Sequence, residues 1–194
     1  MKRTTNDVIN ILKGVYFPNS YSPQTHYLSE LNLLNAKQLT SVGGEQMLND
    51  ANTKKEIGKS DFTGTQVPSD ANGLIGAITV EYGTDDDGSV TNPALITYSA
   101  IKEDMPAWLL NSELVVKSKS VEQFRIRVSE LVLGELAKTV PSEWAKQLER
   151  TLKVTGNQDL QLFLATPEDA ALTSGVNTFV RVNLYGTKFA PRSI

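Results

Sequence analysis

The chain has 194 residues, close to the prior of roughly one domain per 150, so one compact domain with an extended arm is expected. Hydrophobic residues make up 40% and charged residues 21%, a globular balance, and the net charge of −3 argues against an affinity built on neutralising phosphates. There is no cysteine and one histidine, His26, which excludes thiol chemistry, disulfides, cysteine zinc sites and multi-histidine metal sites.

Residues 1–20 form a predicted N-terminal arm. Val8, Ile9, Ile11, Leu12 and Val15 recur near the helical period, Thr5 or Asn6 can cap the first turn, and Gly14 and Pro18 limit the helix. Such a helix packs on its own domain, on a neighbouring subunit or on a membrane surface. No apolar run approaches the roughly 20 residues that span a bilayer. The polar Thr4-Thr5-Asn6-Asp7 after the basic start leaves no apolar core for a secretory signal.

Residues 21–194 read as the folded domain. From Tyr27 to Thr40 the apolar spacing fits helix and strand equally. Residues 43–72, with Gly43-Gly44, Gly58, Gly64 and Pro68 and few anchors beyond Met47, Leu48, Ile57 and Phe62, read as a long loop excursion holding one short helix. The period then becomes two. Ile78, Val80 and Tyr82 alternate with Thr79 and Glu81, and the turn residues 84–89 lead to a β-rich stretch from Ala94 to Ile101, a hairpin pattern. A second hairpin pattern runs from Trp108 to Val116 and from Val121 to Val132 around residues 117–120. In it Phe124, Ile126 and Val128 share one face, and Arg125 and Arg127 the other.

Pro141 suits a first helical turn, and Trp144, Leu148 and Leu152 follow at i, i+4 and i+8 up to Gly156. Leu160, Leu162 and Leu164 alternate up to Pro167, and Val180, Val182 and Leu184 alternate before Gly186. Six clear strands and one or two more approach the eight of a two-sheet jelly roll. The predicted fold class is mainly β: a single jelly-roll-like antiparallel sandwich with a few peripheral helices.

Chemical signatures are sparse. Asp85-Asp86-Asp87-Gly88 could open a calcium loop, but the twelfth position, where a bidentate acid is needed, is Ile96. His26 has no Gly-x-Ser-x-Gly elbow to serve. Val42-Gly43-Gly44-Glu45 lacks the Lys-Ser/Thr of a phosphate loop. Glu103 and Asp104 are the nearest thing to a paired-acid hydrolase site. Tyr82, Tyr98 and Trp108 are the candidate platform of a carbohydrate- or receptor-binding sandwich. No catalytic, cofactor or metal residue is assigned, and neither a small-molecule substrate nor a specific nucleic acid is expected.

The stretch Met105-Pro106-Ala107-Trp108-Leu109-Leu110-Asn111-Ser112-Glu113-Leu114-Val115-Val116, with the paired Phe124-Arg125-Ile126-Arg127-Val128, resembles a hairpin of jelly-roll coat proteins of tailless icosahedral bacteriophages. Leu160 to Pro167, Asn177 to Thr187 and the Pro191-Arg192 ending resemble the closing strand pair of such coats. The resemblance covers residues 105–192. It implies a virion capsid subunit of the single-barrel penton or minor type, made in the host cytoplasm, whose partners are copies of itself and other capsid proteins. It carries over no catalytic residue. The residues expected at subunit contacts are Val8, Ile11 and Leu12 of the arm, Arg125 and Arg127 of the hairpin, and Lys188 and Arg192 of the tail.

Overall fold

Strict alternation of apolar and polar side chains puts every second residue of a strand on one face, and two such faces bury each other only by stacking. The computed structural model describes residues 26–132 and 145–191 and places eight strands in two antiparallel four-stranded sheets. In chain order they are β1 (His26–Leu39), β2 (Gly44–Met47), β3 (Gly73–Asp85), β4 (Glu113–Ser118), β5 (Val121–Arg127), β6 (Lys146–Val154), β7 (Leu160–Thr166) and β8 (Asn177–Pro191). Two single-turn helices, α1 (Ala107–Leu110) and α2 (Val128–Leu131), flank β4 and β5. One sheet runs β1-β8-β3-β6 and the other β2-β7-β4-β5. Each sheet thus mixes early and late strands, the strand order of a jelly roll.

The core lies between the sheets. Leu31 and Leu33 of β1, Ile75, Ile78 and Val80 of β3, and Val180, Val182 and Leu184 of β8 meet Leu114 and Val116 of β4 and Leu160, Leu162 and Leu164 of β7 in one cluster. Burying each such side chain contributes about 1.5–3 kcal/mol before the entropy of ordering it is subtracted. The β4–β5 hairpin turns through Lys119 and Ser120, both at positive φ (50° and 64°), the backbone a two-residue hairpin connection requires.

Several expectations are corrected. Residues 26–39, whose spacing leaves helix and strand open, are strand throughout. Residues 43–72 carry β2 and no helix among the described residues, and they bury Leu48, Phe62, Val67 and Ala71 at 1% exposure or less. Residues 94–101 do not return as a strand: Ser99 makes a single bridge to Tyr82, on the length of β3 beyond Ile78 that β6 leaves unpaired. Trp108 lies in α1, and the second hairpin ends at Arg127, where α2 begins. The helix expected through Leu148 and Leu152 is strand β6. Residues four apart share a strand face as well as a helix face, so that spacing could not choose. Pro141 and Trp144 lie outside the described residues. Finally, β8 runs on through Gly186, where a Cβ would stand 2.1 Å from the Leu74 carbonyl oxygen; only glycine lets β3 and β8 approach so closely there. No helix among the described residues is long and apolar enough to cross a membrane.

Candidate functional site

Of the expected contact residues, Val8, Ile11, Leu12 and Arg192 lie outside the described residues. Arg125 sits on the outer face of the β2-β7-β4-β5 sheet amid three acids: Glu113 at 3.0 Å, Glu122 at 3.2 Å and Glu45 at 3.8 Å. Hydrogen bonds to Glu113 and then Glu122 raise its already high pKa. Lys117 joins the cluster, 3.0 Å from Glu45 and 4.1 Å above the centre of the Phe163 ring. Lys188 is not in a trailing tail but in β8, bonded to Asp70 at 2.5 Å, and that bond pulls the Asp70 carboxyl below its ordinary pKa. Arg125 and Lys188 are therefore already engaged within the subunit. Arg127, exposed at the end of β5, enters no ion pair among the described residues.

The other sheet carries a feature that sequence reasoning missed. Of the 27 residues between β3 and β4, 86–112, the stretch 93–98 crosses its outer face as a roof. A Cβ on Gly83 would stand 2.5 Å from Ile96 Cγ2 and 2.7 Å from the Thr97 carbonyl oxygen, so glycine lets the roof touch the sheet. Beneath it, Arg181 Nε and Nη2 donate to Glu81 Oε2, and Asn183 Nδ2 donates to Glu81 Oε1 at 2.9 Å and to Thr79 Oγ1 at 3.3 Å. The Arg181 guanidinium lies 4.2 Å from the centre of the Tyr98 ring, and the Tyr98 hydroxyl donates to the Pro93 carbonyl at 3.0 Å. Glu81 is only 7% exposed. The one sequence signal for this network was Gly83, a glycine inside a strand.

Burial pushes the Tyr98 hydroxyl up from 10.0 to about 12, against the opposing pull of Arg181. A pKa raised on folding contributes stability that is complete below the unfolded value and is lost as pH rises through the folded one. Stability is therefore expected to fall between pH 10 and about 12. Absorbance titration at 295 nm checks this: the native chain should show late-ionising tyrosines, Tyr98 and the partly buried Tyr82 among them, and Tyr98→Phe should lose the amplitude of one. An unchanged late phase in the variant contradicts the assignment.

The remaining chemical candidates are dispersed. Asp85 accepts the Val90 N–H at 2.7 Å within its own turn, and Asp86 and Asp87 are exposed. Among the described residues no group of three or more acids and histidines is placed to hold a metal ion. Glu103 and Asp104 are exposed on a 3-10 turn. Tyr82 and Trp108 pack against the core while Tyr98 belongs to the roof on the opposite side of the sheet, so the three form no common platform. The side chain of His26, where β1 starts, is outside the described set.

Two surfaces stand out as free. Ile57 is 99% exposed and Leu95 73%. The first rides a turn, Glu56–Ser60, that is hydrogen-bonded to the edge of β1, where the Ala36 N–H donates to the Lys59 carbonyl at 2.7 Å. The second caps the roof beside that turn, close enough that a Cβ on Gly58 would meet Ala94 Cβ at 3.4 Å. Rigid backbone thus holds two adjacent large apolar side chains in water, which costs solvation and marks contact surfaces. On the opposite flank, between β5 and β6, lies a groove of about 1040 Å³. Comparison of the chain with protein-family models, curated proteins and solved structures finds no match.

Proposed function

We propose that this chain is a virion structural protein, a capsid subunit that tiles beside copies of itself and other coat proteins in an icosahedral shell or at its vertices. The observation that carries the reading is the β1-β8-β3-β6 over β2-β7-β4-β5 strand order, an arrangement used by viral coats and also by lectins and cupins. Fold alone does not assign function, and two further features favour the coat. The candidate aromatic residues share no platform for a sugar, and one flank presents Ile57 and Leu95 to solvent. The likeness of residues 105–192 to bacteriophage coat hairpins supports the same choice.

A shell subunit needs a stiff sandwich and adhesive flanks, and modest contacts suffice because many of them act together in a closed assembly. Electron micrographs of negatively stained chain at high concentration are expected to show rings or particles. The Ile57→Lys, Leu95→Lys double variant should reduce the assembled fraction at least about tenfold, since each side chain withdrawn from water contributes about 1.5–3 kcal/mol. Its melting temperature should stay near the native value, as both side chains lie outside the core. Isolated single copies of the native chain, alone and with other coat proteins added, would overturn the proposal.

A further inference from the structure

Among the described residues, the groove between β5 and β6 lies where the sandwich is open, because β5 is the last strand of one sheet and β6 the last of the other. The two edges differ. Pairing of β6 with β3 jumps from Leu152 to Gln147, leaving residues 148–151 out of register, and such a bulge blunts an edge. β5 has a smaller irregularity, one extra residue at Gln123, and beyond it holds continuous register with β4 from Phe124 to Arg127, with no strand partner on its outer edge among the described residues. Phe124 and Ile126 of β5 and Leu148 of β6 line the groove, each only partly buried. Charge supplies the second constraint. Among the described residues, six basic and three acidic side chains line the groove, in a chain whose net charge is −3. Two of the basic residues are committed: Arg125 to Glu113, and Lys146 to Glu130 at 3.1 Å. Arg127 and Arg150 are exposed and enter no ion pair among the described residues.

We propose that this groove receives an extended acidic segment of a partner protein, which adds to β5 as a ninth strand. Main-chain hydrogen bonds to the β5 edge supply the attachment, and side-chain alternation supplies the selection. Apolar side chains on one face of the segment cover Phe124, Ile126 and Leu148, carboxylates on the other meet Arg127, and Arg150 on β6 adds positive charge to the groove. The same charge rejects a basic segment. This chain's own first residues, with Lys2, Arg3 and Lys13 against Asp7, are thus poor occupants. The proposal stands on the groove and does not depend on the coat reading.

The full chain can be titrated with a fluorescent peptide of alternating valine and glutamate, beside one of alternating valine and lysine. The glutamate peptide is expected to bind saturably and the lysine peptide not to bind. Arg127→Glu with Arg150→Glu should weaken binding at least about tenfold, through like charges placed against the ligand, while circular dichroism shows the fold retained. Hydrogen exchange at the amides of residues 121–127 should slow in the complex. Absence of saturable binding, equal binding of the lysine peptide, or binding that leaves those amides unprotected would each overturn the proposal, the last by showing ionic adsorption without strand addition.

Discussion

Replacing Glu81 with alanine is expected to destabilise the fold by about 3–5 kcal/mol, the range found when one member of a buried ion pair is removed and the other is left uncompensated. Glu81 is the hub of the network under the roof, receiving Arg181 on one carboxylate oxygen and Asn183 on the other. Its loss strands the Arg181 guanidinium against the Tyr98 ring with no counter-charge in contact among the described residues. The pair itself is a weak source of net stability, because removing two charges from water offsets most of their attraction. The double replacement Glu81→Leu, Arg181→Met is therefore expected to recover most of the loss, and urea denaturation of the single and double variants measures the difference. An alanine variant within about 0.5 kcal/mol of native, the range of ordinary surface substitutions, would mean that the roof does not seal the network.

Phe62→Ala should cost about 3–5 kcal/mol, the usual range for an aromatic truncated in a packed core. Phe62 is fully buried, though it belongs to a glycine-rich stretch with the composition of a surface loop. Its neighbours explain the placement. The Phe62 N–H donates to Ser60 Oγ at 3.1 Å, the Ser60 hydroxyl donates to Asn35 Oδ1 at 2.8 Å, and Asn35 Nδ2 donates to the Leu48 carbonyl at 3.0 Å. This buried polar chain ties residues 48–62 to β1, and Phe62 is the apolar wedge beside it. The neighbouring Ile57→Ala gives the internal contrast, since its fully exposed side chain should change thermal stability within about 0.5 kcal/mol. Equal costs for the two substitutions would show that residues 43–72 are not integrated into the core.

The strands legible in advance were those whose inner face reads as an unbroken alternation. Leu160, Leu162 and Leu164 are the clearest, every second residue of β7 being buried. β1 was ambiguous because Leu31, Leu33 and Leu34 combine both spacings, and only pairing with β8 along its whole length decides for strand. β2 was invisible: Gly44-Glu45-Gln46-Met47 has no apolar alternation and is held in place by β7. The surface chemistry depended on register, which no local pattern reports. Arg125 reads as a free cation until the β4–β5 pairing brings Glu113 to it, and Glu45 arrives from a strand 80 residues earlier. Glu81 and Arg181 likewise read as solvated positions until β3 and β8 align them opposite each other beneath the roof.

Light scattering coupled to size-exclusion chromatography, run on the full chain over rising concentration, tests most directly the claim that this sandwich exists to join copies of itself. The predicted result is a mass that climbs to a discrete multiple of 21.3 kDa and returns towards the single-chain value in the Ile57→Lys, Leu95→Lys variant. A mass fixed at 21.3 kDa at every concentration, unaltered by the two substitutions, contradicts it.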